Sequence, residues 1–238
     1  MLRLLKRPDA KPANMRVVNE AAGEAHVYLY DMIGEDWYGG ITAKDFAAQV
    51  LALNAATIHL HINSPGGDVF EGRAMVAAIK ACKAKTVAHV DGLAASAASW
   101  LALACDEVEI TKGAFFMIHQ SMGWTVGNAT ELHKLADTLE KIDGTIIDDY
   151  EAATGKPRDQ IAEWMAAETW FTADEAIEHG FADRLAPEKA AQPDNAWNLG
   201  AYKHAPKALT EKPTNAATAP DLEQEARERA VRMIEMGC

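Results

Sequence analysis

The sequence predicts an α/β fold in which helices cover a largely parallel β-sheet. Short β-branched or apolar segments alternate with segments of helical periodicity throughout residues 25–186. Residues 57–62 alternate with period two, which places His59 and His61 on one face of a strand. The longest helical pattern, residues 128–150, carries a single apolar stripe at steps of three and four. Because strands and helices alternate along the chain, we expect parallel strands joined by crossover helices.

The same patterns assign the elements in chain order. Strands are predicted at 26–30, 57–62, 86–91, 107–110 and 114–118. Helices are predicted at 42–53, 69–82, 96–104, 128–150, 157–166 and 172–179. Two of these helices begin with the residue spacing of a capping box, Asn128 with Glu131 and Thr172 with Glu175.

Composition divides the chain into four segments. Residues 1–24 are polar and interrupted by proline and glycine, so we expect a loosely ordered N-terminal segment before the domain at 25–186. Five of the nine prolines fall within 187–220, which predicts a linker. Residues 221–238 contain good helix formers and predict a C-terminal helix.

The overall composition excludes several classes of protein. The 238 residues carry a net charge of −12, which argues against a nucleic-acid partner. No apolar run approaches the roughly 20 residues that a membrane-spanning helix needs, and no signal peptide is recognisable. The three cysteines are odd in number and lack metal-ligand spacing. We therefore expect a reduced, cytoplasmic protein without disulfides, cofactor, structural metal or membrane association.

A serine follows one of the predicted strands. Residues 91–100 pass from the strand through Gly92 and several alanines to Ser96, at the start of an apolar helix. At a helix N-terminus, the free N–H groups and the dipole favour a developing negative charge. Ser96 is therefore a candidate nucleophile. Serine is also a common N-cap residue, and these residues alone favour neither interpretation.

Two further candidates lie at the ends of neighbouring strands. The pair Gly66 and Gly67 follows the strand at 57–62 and would let main-chain amides approach an oxyanion, although these residues alone favour a tight turn. His119 is the one histidine at a strand exit beside a glycine-bearing loop, and histidine is the usual base for a serine nucleophile. In α/β sheets, sites gather at the carboxyl ends of strands.

The chain resembles the proteolytic subunit of the Clp protease, ClpP, over about residues 27–185. The resemblance lies in motifs that occur in the family's order: Asn-Ser-Pro-Gly-Gly at 63–67, Gly-Leu-Ala-Ala-Ser at 92–96, Met-Ile-His-Gln at 117–120 and Trp-Phe-Thr-Ala-Asp-Glu-Ala-Ile-Glu-His-Gly-Phe-Ala-Asp at 170–183. It implies a ClpP/crotonase-type spiral of repeated ββα units, with a long handle helix and a C-terminal extension. It also implies a serine-type endopeptidase without a metal or cofactor.

The resemblance assigns roles to five residues. Ser96 would be the nucleophile and His119 the base, and the amides of Gly67 and Ala97 would form the oxyanion hole. Glu168 stands at the family's aspartate position, so the triad would be Ser-His-Glu.

Glutamate is a departure from the family at this position, and a second carboxylate lies nearby. Asp174 is the rival for the third place, although its position after Thr172 favours a role at a helix start.

A second resemblance concerns the biological role. Residues 28–41 and 67–70 are similar to the ClpP-like head maturation, or prohead, proteases of tailed phages. This implies a homo-oligomeric ring that cleaves scaffold or capsid protein within an assembling procapsid in the host cytoplasm.

Several alternatives remain open. One is a bacterial-type degradation subunit that works with an AAA+ unfoldase, although the first 26 residues do not resemble that family's axial loops. Another is a Ser-Lys peptidase similar to signal peptide peptidase A, with Lys112 as the base. Two further alternatives are an acyl-CoA enzyme of the ClpP/crotonase-type fold and a catalytically silent structural or scaffold subunit.

Overall fold

The part of the chain that the structure describes forms one mixed sheet and six helices. A computed structural model describes residues 15–19, 23–34, 40–187, 199–200, 202–206 and 209. The strands are β1 (Arg16–Asn19), β2 (Glu24–Leu29), β3 (Thr57–Ser64), β4 (Lys85–Ala95), β5 (Glu107–Ile110), β6 (Phe115–Ile118), β7 (Thr169–Thr172) and β8 (Arg184–Leu185). The helices are α1 (Ala43–Val50), α2 (Val69–Lys80), α3 (Ala97–Leu103), α4 (Ala129–Thr154), α5 (Arg158–Ala166) and α6 (Ala173–His179).

The sheet topology confirms the predicted α/β class. The strand order is β1-β2-β3-β4-β5-β8, with β2, β3, β4, β5 and β8 parallel and β1 antiparallel at one edge. Strand β6 pairs with the end of β4 in parallel and with β7 in antiparallel fashion. Among the described helices, none is both long and apolar enough to cross a bilayer.

The elements predicted within residues 25–186 are present, with two informative differences. Strand β4 does not turn at its small residues but continues through Gly92 to Ala95, because Leu93, Ala94 and Ala95 pair with β6. The short strands β1, β7 and β8 were not predicted, since two to four residues show too little periodicity to be recognised. Strand β1 lies within the segment that was expected to be loosely ordered.

Side-chain caps begin helices α1, α2, α4 and α6. Thr42 accepts a hydrogen bond from the Asp45 amide at the start of α1. Both predicted capping boxes form, at the starts of α4 and α6. The last helix of the domain ends at Gly180, which takes the left-handed conformation that glycine favours.

The two faces of the sheet differ in composition. On one face, alternate residues of β2, β3 and β4 are buried and pack with helices α1 to α4 in a single hydrophobic core. On the other face, the alternating positions are half-buried and include histidines, as the period of β3 predicts. The half-buried face that carries the histidines is therefore the one that the helices leave open.

Helix α4 contributes only its second half to this core. Ile146 and Tyr150 are buried, whereas Leu132 in the first turn is 49% exposed. The predicted apolar stripe therefore continues beyond the core of this chain.

The buried hydroxyl of Tyr150 connects α4 to α3. It accepts a hydrogen bond from Trp100 Nε1 at 2.7 Å and lies 2.6 Å from Ser99 Oγ, which in turn donates to the carbonyl oxygen of Ser96. This chain of hydrogen bonds supports the backbone of α3 directly behind Ser96.

Tyr150→Phe is expected to lower the free energy of unfolding by about 1–3 kcal/mol, because Trp100 Nε1 would lose its acceptor inside the core. Urea denaturation measures the change. Tyr28→Phe is the control, since the Tyr28 hydroxyl makes no hydrogen bond within the described residues, and it should change stability by less than about 0.5 kcal/mol. Equal effects of the two substitutions would contradict this account of the Tyr150 hydroxyl.

Candidate active site

Ser96 lies at the junction of β4 and α3 in an unusual backbone conformation. Its φ is 53° and its ψ is −124°, which few residues other than glycine adopt. The Ser96 amide donates to Met117 O at 3.0 Å, which anchors the junction to β6. The side chain makes no capping hydrogen bond to α3. The interpretation that Ser96 merely caps the helix is therefore wrong.

The Ser96 hydroxyl instead contacts His119. Strand β6 pairs Met117 with Ala95 of β4, so the residues that follow these two strands come together. His119 Nε2 lies 2.8 Å from Ser96 Oγ. Lys112, the base of the alternative Ser-Lys arrangement, is exposed in the turn between β5 and β6 and does not line the cavity beside Ser96.

The surroundings of His119 keep its ring neutral. Burial lowers the pKa of His119 to about 4, against the opposing effect of the negative charges of Glu168 and Asp143. A neutral ring near pH 7 can accept the Ser96 proton, which an imidazolium cannot.

The pH dependence of hydrolysis follows from this pKa. Since His119 becomes protonated only as the pH falls through about 4, kcat/KM is expected to stay level between about pH 5 and 8 and to fall near pH 4. Stopped assays with a small peptide measure the profile, and circular dichroism at each pH establishes that the chain remains folded. An acid limb near pH 6.5 would contradict the burial of His119.

Glu168 lies close to His119 without a hydrogen bond between them in the described part of the chain. Its backbone φ is 50°. Its carboxylate accepts hydrogen bonds from the amides of Lys203 at 2.9 Å and His204 at 2.7 Å, and from Trp170 Nε1 at 3.3 Å. The influence of Glu168 on His119 is therefore electrostatic.

A second carboxylate, Asp143 of α4, also acts on His119 through its charge. Its Oδ1 accepts the Ser121 amide at 2.6 Å, in the loop that follows His119. Nothing in the sequence pattern of α4 distinguishes Asp143 from the other acidic residues there. Asp174 is exposed in the first turn of α6, where it fits the role of a helix-start residue.

The glycine loop packs tightly against both Ser96 and the strand exit of β2. A Cβ atom on Gly66 would lie 2.7 Å from Ser96 Cβ, and one on Gly67 would lie 1.9 Å from Ile33 O. Gly67 lines the same cavity as Ser96 and His119. Ala97 is the first residue of α3, where amides lack intrahelical acceptors. Both predicted oxyanion donors thus belong to backbone segments that adjoin Ser96.

A cavity of about 340 Å³ opens beside Ser96 and His119. One wall is the first half of the α4 stripe, including Leu135, Leu139 and Ile142. The apolar stripe that the sequence predicts on this helix therefore forms an apolar wall of the candidate site.

Residues beyond the domain close another wall of this cavity. Tyr202 donates its hydroxyl to Pro65 O at 2.5 Å, and its ring lies edge-on to His119 at 5.2 Å. Leu199 and Tyr202 are buried, at 1% and 6% exposure, against Met32 and Met117. The described residues of the predicted linker thus pack at the site, and no sequence signal indicated this. Within 187–220, the structure describes only residues 187, 199–200, 202–206 and 209. The predicted helix at 221–238 lies outside the described residues.

A half-buried histidine that contacts a serine in a strained strand-to-helix junction, at the carboxyl end of an α/β sheet, is an arrangement typical of serine hydrolases. The sequence profile of the family described as Clp protease matches residues 10–189. The chain belongs to the Clp protease family and is a serine-type peptidase.

Individual relatives agree with this assignment. The chain is 31% identical over 155 residues to the ATP-dependent Clp protease proteolytic subunit of Porphyromonas gingivalis, covering 60% of this chain and 68% of the relative. It is 40% identical over 128 residues to proteolytic subunit 1 of Chlamydia muridarum, covering 52% and 67%. The solved structure of a ClpP1 mutant from Listeria monocytogenes superposes with a TM-score of 0.61 at 25% identity, covering 69% of this chain and 92% of that one.

Proposed function

We propose that the chain hydrolyses peptide bonds with Ser96 as the nucleophile and His119 as the general base. The observation that carries this proposal is the 2.8 Å contact between His119 Nε2 and Ser96 Oγ. Ser96 Oγ attacks the carbonyl carbon while His119 Nε2 takes its proton, and His119 then gives that proton to the leaving amine. Water, deprotonated by His119, releases the acyl group from Ser96.

The amides of Gly67 and Ala97 are the proposed donors to the oxyanion of the tetrahedral intermediate. Their support is structural: Gly67 lines the cavity, and Ala97 begins α3 immediately after Ser96. Preorganised amide donors of this kind stabilise the charge that develops in the transition state.

Glu168 is proposed to assist His119 through its negative charge rather than through a hydrogen bond. Three N–H donors hold its carboxylate in place, and its charge favours the imidazolium that forms when Ser96 loses its proton.

Glu168→Gln is therefore expected to lower kcat/KM by about 10-fold, far less than the roughly 10⁴-fold loss typical of a hydrogen-bonded triad carboxylate. Because the charge of Glu168 raises the pKa of His119, the acid limb of the pH profile should also move to lower pH. Glu163→Gln on the exposed side of α5 is the charge-matched control and should change neither quantity. An unshifted acid limb would show that Glu168 does not act on His119.

The cellular role that the relatives favour is that of a degradation subunit fed by an AAA+ unfoldase. The relatives named above are proteolytic subunits of ATP-dependent proteases. The exposed side chains of Phe70, Trp124, Val126 and Leu132 supply an apolar surface that a homo-oligomeric ring would cover. We propose such a ring, acting on protein substrates in the cytoplasm.

The head maturation role is the second candidate. It rests on the resemblance of residues 28–41 and 67–70 to phage enzymes, and it would have the ring cleave scaffold or capsid protein inside a procapsid. A processing enzyme needs no unfoldase, whereas a degradation subunit does.

Two measurements separate these roles. Pull-down of tagged Ser96→Ala from the source cells should recover an AAA+ ATPase for a degradation subunit, and capsid or scaffold protein for a maturation enzyme. Intact mass over time should show tail loss within 186–220 only for an active self-processing enzyme, and Ser96→Ala should stay whole. If the wild-type assembly cleaved neither peptide nor protein with any of these partners, the chain would be a silent structural subunit.

A further inference from the structure

The open face of the sheet carries a cluster of four histidines remote from Ser96. They lie on three adjacent strands: His26 on β2, His59 and His61 on β3, and His89 on β4. Their rings stack at centroid distances of 4.7 to 5.3 Å. His26 and His59 pair in register near the amino ends of their strands, whereas Ser96 follows the carboxyl end of β4.

One chain of hydrogen bonds fixes the protons on His89 and His59. The Glu109 carboxylate, held by Arg184 Nε at 2.9 Å, lies 3.0 Å from His89 Nδ1. A carboxylate only accepts, so His89 Nδ1 donates, and the Nε2 of the neutral ring becomes an acceptor. His59 Nδ1 lies 2.9 Å from this Nε2 and must donate to it. The lone pair of a neutral His59 is therefore on Nε2.

A second chain fixes the protons on His61 and His26 in the same way. Asp91 accepts from the Tyr30 hydroxyl at 2.5 Å and from His61 Nδ1 at 2.8 Å. His61 Nε2 is then an acceptor, and it accepts from His26 Nδ1 at 3.0 Å. This assigns the lone pair of a neutral His26 to Nε2 as well.

Both chains end beside the carboxylate of Glu24. One ligand atom from each of Glu24, His26 and His59 lies within 4.8 Å of the others. His59 Nε2 is buried, 4.0 Å from Glu24 Oε2, and it has no hydrogen-bond partner among the described residues. The buried Nε2 of His59, which has no partner in the described part of the chain, and a ring nitrogen of His26 therefore lie near a carboxylate, an arrangement that a positive charge between them would stabilise.

We propose that Glu24, His26 and His59 form a binding site for a divalent transition-metal ion of the Zn²⁺ class. Two imidazole nitrogens and one carboxylate are a known ligand set for Zn²⁺, with the fourth position open to water. The hydrogen bonds from the opposite ring nitrogens, through His61 to Asp91 and through His89 to Glu109, orient the ligands as outer-shell partners do.

The ligands need a modest movement to close around the ion. Zn–N and Zn–O distances of about 2.0–2.2 Å bring tetrahedral donors to roughly 3.3 Å from one another. The Glu24 side chain is 47% exposed and can supply most of this movement by a change of rotamer. Sequence spacing could not signal the site, because its ligands come from two strands that are distant in the chain.

The test is metal titration of the full chain after treatment with a chelator. Calorimetry with Zn²⁺ should give one strong site per chain, and Co²⁺ should give the visible absorption of a tetrahedral complex with nitrogen and oxygen ligands. His59→Gln and Glu24→Gln should each weaken Zn²⁺ binding by at least 10-fold, whereas His133→Gln, an exposed histidine of α4, should not. Glu24→Gln leaves both hydrogen-bond chains intact, so its effect does not depend on how well His59→Gln folds.

Three results would overturn the proposal. The first is the absence of a one-to-one Zn²⁺ site in the wild type. The second is binding that Glu24→Gln and His59→Gln leave unchanged. The third is binding that is lost in His119→Gln instead, which would place the ion at the candidate active site.

Discussion

Replacing His119 with glutamine is expected to lower kcat/KM for a peptide substrate by about 10⁴-fold or more. The substitution removes the imidazole base that lies 2.8 Å from Ser96 Oγ, so the hydroxyl would attack without a base to take its proton. The free energy of unfolding should change little. Burial lowers the pKa of His119, so the substitution replaces a neutral ring with another neutral polar side chain.

The double variant with Ser96→Ala distinguishes a coupled pair from two independent residues. If Ser96 and His119 act as one unit, the double variant should be no slower than either single variant. A further 10³-fold loss in the double variant would mean that His119 assists by a route that does not involve Ser96.

Gly67→Ala is expected to have the second largest effect. A Cβ atom at this position would lie 1.9 Å from Ile33 O and within 2.9 Å of Ile33 N, and these are backbone atoms that cannot move aside. The loop would have to leave Ile33, breaking the hydrogen bonds of Ile33 N to Gly66 O and of Asp68 N to Ile33 O. We expect kcat/KM to fall by about 10²–10³-fold through the misplaced oxyanion donor, and unfolding free energy to fall by about 2–4 kcal/mol.

Gly155→Ala is the matched control for Gly67→Ala. Gly155 also has a positive φ, of 67°, but a Cβ atom there would meet nothing within 4 Å. Gly155→Ala should lower the free energy of unfolding by about 1 kcal/mol through backbone strain alone and should leave kcat/KM unchanged. Urea denaturation and peptide assays measure both variants. Full activity in Gly67→Ala would remove Gly67 from the site.

Strong local periodicity explains why most of the fold could be predicted. The alternation in β3 and the stripe of α4 each extend over enough residues to specify their element, and side chains of defined hydrogen-bonding chemistry mark the helix starts. Strands β7 and β8 are too short for such a signal, and their pairing depends on neighbours that are distant in sequence. The continuation of β4 through small residues likewise depends on β6 lying beside it.

Some residues of the candidate site could likewise be predicted from the sequence, and others could not. Ser96 and His119 could be found because each follows a recognisable strand, and the sheet then brings adjacent strand exits together. The partners of Glu168 could not be found, since they are backbone amides of residues 203 and 204 in a segment without helical or strand periodicity. Tyr202 reaches the site through the same segment, so its place beside His119 also required the structure.

The most direct test of the central claim is a reaction with a fluorophosphonate, followed by peptide mass mapping. If Ser96 is a nucleophile activated by His119, the assembled wild type should carry one adduct per chain on Ser96, and Ser96→Ala should carry none. Labelling of Ser96 should also be much slower in His119→Gln. A wild type that remains unlabelled, or that is labelled on a residue other than Ser96, would contradict the assignment of Ser96 as the nucleophile.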